Sequence, residues 1–182
     1  MARVPYRSKA ELKPQDQDLL AREINLNRAL VNSPGATRAF NRLGGYIRSQ
    51  STLDGRLREL AILQVGYMAR SRYEYSHHIK IGHDFGVSDD DVRAIAVETS
   101  GGESNLNPLA RAVLLGARQM AAGEPIDDAT FATLAGALGP EHLTDLVVTI
   151  SFYCGVVRLL QTLRIDVEPE YEHYLAEFPL PK

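Results

Sequence analysis

The chain of 182 residues contains a single cysteine, Cys154. That count excludes an intramolecular disulfide, a CxxC redox pair and any multi-cysteine metal site. Charge of one sign is equally scarce, since 20 basic and 23 acidic residues are interspersed along the chain and leave a formal net charge of -3. Without a basic block or stripe, nothing marks a nucleic-acid partner. Read as a sequence, the chain shows no apolar run near the roughly 18 residues of a membrane-spanning helix, and its opening MARVPYRSKAELKPQDQD lacks the apolar core of a secretory signal. The expectation is a cytoplasmic protein with no membrane partner. There is also no trustworthy alternating strand pattern, no phosphate-loop or dinucleotide glycine fingerprint and no low-complexity segment.

What is present is helical patterning over a hydrophobic content of 45%, enough for the core of one domain. Residues 1–14 read as a polar N-terminal arm of the kind that packs on a partner subunit, 15–168 as the helical domain and 169–182 as a tail with a short helix. Within the domain a first helix is expected over about 15–32 and a second over 36–49, ahead of a central helix from Thr52 that is apolar on most of its surface. YEYSHHIKIGHDFG reads as the next helix, ending near Gly86. Ser88 followed by Asp89, Asp90 and Asp91 is a helix start signal, because the hydroxyl can cap and the carboxylates suit the positive end of the helix dipole. Asn107-Pro108 opens another helix, a further one covers about 127–138, and a second core helix starts near Pro140 with a stripe from Leu143 through Ile150, Cys154 and Val157 to Gln161. The fold class is all-α, a single-domain helical bundle.

Reactive side chains concentrate between Glu59 and His83, where three of the five histidines lie. On a helix, Ser71, Glu74 and His78 share one face, so a carboxylate can fix the tautomer of an imidazole suited to proton transfer. Periodicity alone leaves this pair open between a solvated contact and a reactive one. A carboxylate on the buried central helix, Glu59, needs a partner, and His78 or an arginine is the natural one. Its role stays open between structural and catalytic. Arg70 and Arg72 can hold a substrate carboxylate or simply bridge to acidic neighbours. His77, His78 and His83 do not converge as metal ligands, because adjacent helix residues point about 100° apart. Neither a metal nor an organic cofactor is expected.

The spacing of this stretch resembles the alkylhydroperoxidase D-like superfamily, whose core motif is a glutamate, eleven residues, Cys-x-x-Cys, three residues and a histidine. Here Glu59, Ser71, Glu74 and His78 occupy those four positions, so the acid and the histidine keep register while both cysteines are replaced. The match is good over about 53–92 and looser over 145–165. It implies the branch that contains the carboxymuconolactone decarboxylases, a helical bundle acting on a small carboxylated lactone. The implied activity is a cofactor-independent lyase or isomerase, with His78, Glu74 and Glu59 as candidate catalytic residues and Arg70, Arg72, Ser71 and His77 as candidate substrate-binding residues. The resemblance also implies a homo-oligomer, a trimer or hexamer. Two alternatives stand beside this reading: a thiol-dependent peroxide reductase, which Ser71 and Glu74 disfavour because neither can form a disulfide, and a non-catalytic oligomerisation or binding module.

Overall fold

The computed structural model describes residues 1–181. Among the described residues the bundle is made of eight α-helices: α1 (Asn25–Leu30), α2 (Pro34–Ser49), α3 (Gly55–Met68), α4 (Arg72–Asp84), α5 (Asp89–Thr99), α6 (Pro108–Ala122), α7 (Asp128–Leu163) and α8 (Glu172–Glu177). The described residues contain no strand. Local signals start several helices. The Asp54 carboxylate accepts from the Leu57 N–H at the head of α3, Asn107 does the same for Ala110 on α6, and Asp127 for Thr130 on α7. Ser88 and Asp91 cap α5 reciprocally, the Ser88 hydroxyl accepting from Asp91 N–H while the Asp91 carboxylate accepts from Ser88 N–H.

The layers follow from which helices are apolar all round. Every residue of α3 from Leu57 to Tyr67 is buried. It is the axis of the molecule, enclosed by α4, α5, α6 and α7. The helix α7 is two helices joined at a kink, since Gly139 is non-helical with φ 70° and Pro140 follows it. It is long and apolar enough to cross a bilayer by length and composition, contrary to what the sequence alone suggested, but half of its most apolar stretch is buried inside the bundle. Its second half also carries buried Asp145, which accepts from Tyr46 and Ser51 hydroxyls. This is the wiring of a core helix.

One expectation is corrected at the N-terminus. The single helix expected over 15–32 is instead a 3-10 segment, Pro14–Leu20, and the short α1, separated by residues 21–24. The two pieces bury against different neighbours: Leu19 and Leu20 form a small cluster with Val31, whereas Leu26 packs on the main core. One straight helix cannot serve both. The N-terminal arm is bonded to later parts of the chain, with Arg3 N–H donating to Leu163 carbonyl, Arg7 N–H to Arg28 carbonyl and the Tyr6 hydroxyl to Asp166.

The turn between α3 and α4 sets the site. Arg70 takes the left-handed conformation, with φ 51°. Its N–H reaches the Tyr67 carbonyl while Ser71 N–H reaches that of Gly66, the paired bonds of a Schellman closure. The chain therefore reverses within two residues and lays α4 back along α3. Gly66 permits the close approach, because a Cβ there would lie 3.3 Å from the Tyr75 backbone nitrogen.

Candidate active site

With α4 laid against α3, Glu59 of one helix meets His78 of the other. Nδ1 of His78 is 2.6 Å from Glu59 Oε2 in an aligned hydrogen bond, which fixes the imidazole. On the opposite edge, Nε2 lies 2.9 Å from Glu74 Oε1, one helical turn earlier on α4. This second contact is an ion-pair approach outside good hydrogen-bond alignment. Glu59 Oε1 accepts from Nε of Arg58 at 3.0 Å, and the Arg58 guanidinium stacks over the Phe85 ring at 4.3 Å. Glu59 is fully buried, while Arg58, Glu74 and His78 are each no more than 5% exposed. An unpaired ion in such a place costs several kcal/mol, so these four groups stand or fall together.

Electrostatics follow from the packing. Burial alone pulls the His78 imidazole down, but the attraction of Glu74 and Glu59 outweighs it and the group is pushed up to about 9. For Glu59 burial works upward, and His78 and Arg58 overcome it to hold the carboxyl below its ordinary value. His78 is thus an imidazolium at neutral pH beside an ionised Glu59. Burial, with Glu74 and Glu59 nearby, pushes the Tyr153 phenol well up, so it keeps its proton. The Tyr153 ring stands edge-on to His78 with centroids 5.0 Å apart.

His78 and Glu74 face a small cavity of about 50 Å³, room for little more than a water molecule. Tyr153, Phe152, Phe40 and Arg48 also line it. A wider chamber of about 210 Å³ adjoins it and shares Arg22, Ile24, Leu26, Phe40 and Arg48 with it. The site is therefore a narrow floor bearing the imidazole, below an outer chamber made by the broken N-terminal segment and α2.

Of the residues singled out from sequence, Glu59, Glu74 and His78 come together. His77 touches the same cavity but is bound differently: Nδ1 meets the Tyr73 carbonyl at 2.8 Å, and the ring is sandwiched between Tyr73 and Tyr171 at 4.0 and 3.7 Å. Glu168 Oε2 lies 2.9 Å from Nε2, outside hydrogen-bond alignment. Ser71 is buried at the head of α4, where it is the N-cap without a side-chain capping bond. Arg70 and Arg72 do not line the cavity. Both are exposed, Arg70 held in the turn and Arg72 paired with Glu172 at 2.6 Å. The guanidinia that reach the cavity belong instead to Arg48 and Arg22, which sequence reasoning missed along with Tyr153 and Glu168. Only the apolar stripe of α7 hinted at Tyr153, and no local signal marked the others. Among the described residues no group of three or more histidine, cysteine or acidic side chains is arranged to hold a metal ion.

The carboxymuconolactone decarboxylase family model matches residues 34–114, the span that carries Glu59, Glu74 and His78. The match supports a place for this chain in the carboxymuconolactone decarboxylase and AhpD-like superfamily. Solved structures agree on the fold at low identity. An uncharacterised peroxidase-related protein with an alkylhydroperoxidase AhpD core, from Ralstonia eutropha JMP134, superposes with a TM-score of 0.79 at 18% identity, over 99% of this chain and 98% of its own. The debrominase Bmp8, captured with 2,3,4-tribromopyrrole, gives 0.82 at 19% identity and covers 98% of each chain. A putative antioxidant defence protein AhpD from Agrobacterium tumefaciens gives 0.68 at 21% identity, over 75% of this chain and 93% of its own. No curated relative matches at the level of sequence. Within this superfamily the present chain has Ser71 and Glu74 where the peroxidase motif has its two cysteines.

Proposed function

We propose that the protein is a cytoplasmic, homo-oligomeric enzyme that performs acid–base chemistry without a cofactor, as a decarboxylase or isomerase of a small carboxylated or lactone-like molecule. The observation that carries this reading is the imidazole of His78, anchored through Nδ1 to buried Glu59 and presenting Nε2, with Glu74 beside it, to a cavity. Fixing one nitrogen while the other faces a cavity is the arrangement of a proton donor. In the decarboxylation, the bond from the substrate carbon to its carboxylate breaks, carbon dioxide leaves, and the electron pair stays on a carbon conjugated with a carbonyl. The Nε2 proton of His78 then passes to that carbon, directly or through the Glu74 carboxylate, and solvent returns a proton to the imidazole. Glu59, held ionised by Arg58, stabilises the imidazolium throughout. For an isomerase, Glu74 removes a proton and the same couple returns it to a neighbouring carbon.

The peroxidase alternative has no thiol pair to use. The lone cysteine lies half-buried on α7 with its thiol pushed up by burial, away from thiolate character.

The test is a screen of carboxylated lactones and intermediates of aromatic catabolism for carbon dioxide release or isomerisation, with wild type and His78→Asn side by side. Turnover that drops by about 100-fold or more in a folded His78→Asn protein is the expected result, the scale of a lost general acid. Turnover that survives the substitution refutes the assignment, and a thiol-dependent peroxidase signal in the wild type would replace it.

A further inference from the structure

The charges around the two chambers do not cancel. On the floor, Glu59 and Glu74 are matched by Arg58 and the His78 imidazolium, a formal sum of zero. In the outer chamber, the single carboxylate is Asp18, already bound to Arg38 at 2.9 Å. That leaves Arg22 and Arg48, neither of which pairs with a carboxylate among the described residues. Arg48 lies where the chambers join, partly buried, with a guanidinium nitrogen near Gly44, a glycine whose face the Phe152 ring also approaches. Phe40 and Phe152 meet beside it at a tilt of 45°, with centroids 4.9 Å apart, an apolar flank for a planar group. The Tyr153 hydroxyl, which keeps its proton, makes no hydrogen bond to another described residue and opens on the same space. Two cations and a phenol without protein acceptors, next to aromatic rings, lack only a planar anion.

We propose that Arg48 is the specificity-determining residue of this site: with Arg22 at the outer rim it binds the carboxylate of a small planar organic acid, whose ring lies along Phe40 in the outer chamber, above His78. The inference rests on the acid–base reading for the chemistry that follows binding, but not for the binding itself. Its physical basis is that a guanidinium offers paired donors matching a carboxylate, and partial desolvation strengthens the contact. It also makes a neutral analogue a poor ligand, since the guanidinium would be desolvated without a partner.

Benzoate and benzamide, equal in shape and differing in charge, are the probes, titrated calorimetrically into wild type, Arg48→Met, Arg48→Lys and Arg72→Met. Benzoate is expected to bind saturably and about 10- to 100-fold more tightly than benzamide, the range of one charge-assisted hydrogen-bonded contact. Arg48→Met should erase that preference, Arg48→Lys should keep part of it, and the surface substitution Arg72→Met should leave it intact. Equal binding of the two probes, no saturable benzoate binding, or full preference in Arg48→Met overturns the proposal. Should Arg48→Met fail to fold, the wild-type preference and its reduction in Arg48→Lys decide the matter. The two readings fail separately. Benzoate binding that depends on Arg48 while no substrate turns over sinks the enzyme and spares the subsite, and turnover that needs His78 but ignores Arg48 does the reverse.

Discussion

His77 and His78 are neighbours on one helix, both buried, and each has a glutamate within 3 Å of a ring nitrogen. Their surroundings nevertheless differ in kind. His78 is held by side chains of the two central helices: Glu59 from α3, Glu74 from its own helix, and Arg58 behind Glu59. His77 is held by the backbone carbonyl of Tyr73 and by the C-terminal strap, where Tyr171 covers its face and Glu168 also accepts from Asn25 N–H and the Tyr73 hydroxyl. One ring sits in a charged network that opens on a cavity. The other is a peg that fastens the chain's end to α4. Burial beside a carboxylate is common to both, so it cannot be what marks a proton donor. The second carboxylate, and an Nδ1 anchored by a buried side-chain carboxylate rather than by a backbone carbonyl, distinguish His78.

The largest effect that would break this contrast is loss of Glu59. Glu59→Ala leaves Arg58 and the His78 imidazolium buried without their shared anion, and removal of one member of such a network costs about 3–5 kcal/mol. Glu168→Ala on the His77 side should cost clearly less, because Glu168 is less deeply enclosed, at 12% side-chain exposure against 0% for Glu59. Urea unfolding of both variants checks the order. Equal losses would mean that the two clusters are equivalent structural pins and that the distinction drawn above is wrong.

Next in size is a dependence on pH. His78 is raised to about 9 in the folded protein, above the value of about 6.5 expected in the unfolded chain. A raised group stabilises the fold fully below the unfolded value, and the benefit is lost as pH climbs through the folded one. Stability should therefore decline between about pH 6.5 and 9 by about 3 kcal/mol. The decline should persist in His77→Phe and flatten in His78→Gln, measured by urea unfolding across that window. A slope that vanishes with His77 instead would transfer the imidazolium to the wrong ring.

The elements that made this contrast legible in the sequence are local ones. The apolar surface of α3 announced a core helix, which made Glu59 conspicuous as a carboxylate in need of a partner, and the four-residue step from Glu74 to His78 placed both on one face of α4. The Ser88 cap, Asn107-Pro108 and Gly139-Pro140 marked helix ends through their own backbone chemistry. What escaped were residues whose role depends on distant chain. Arg48 on α2, Arg22 in the break before α1 and Tyr153 on α7 meet only because the helices pack, and none of them stands out locally. Proximity misled in the opposite direction for Arg70 and Arg72. They adjoin Ser71 and Glu74 in sequence, yet the left-handed turn at Arg70 and the pull of Glu172 on Arg72 keep both at the surface.

The smallest effect probes how finely the His78 network depends on helix spacing. Gly66 sits where α3 and α4 come closest, and a methyl group there meets the Tyr75 backbone at 3.3 Å, a contact that rigid main chain relieves only by moving apart a few tenths of an ångström. Mid-helix glycine-to-alanine substitution should gain about 1 kcal/mol from propensity, so the overpacking penalty of about 1–3 kcal/mol leaves Gly66→Ala neutral to mildly destabilising. Stability is the less revealing readout. The Glu59 to His78 bond spans the two helices being separated, whereas the nearest partner of His77, the Tyr73 carbonyl, lies on α4 itself and moves with it. NMR of Gly66→Ala should therefore show His78 titrating lower than in the wild type, with the ring signals of His77 unmoved at fixed pH. A shift of equal size in both rings would show that the strap, too, depends on the α3 to α4 spacing, and would erase the division between a reactive histidine and a fastening one.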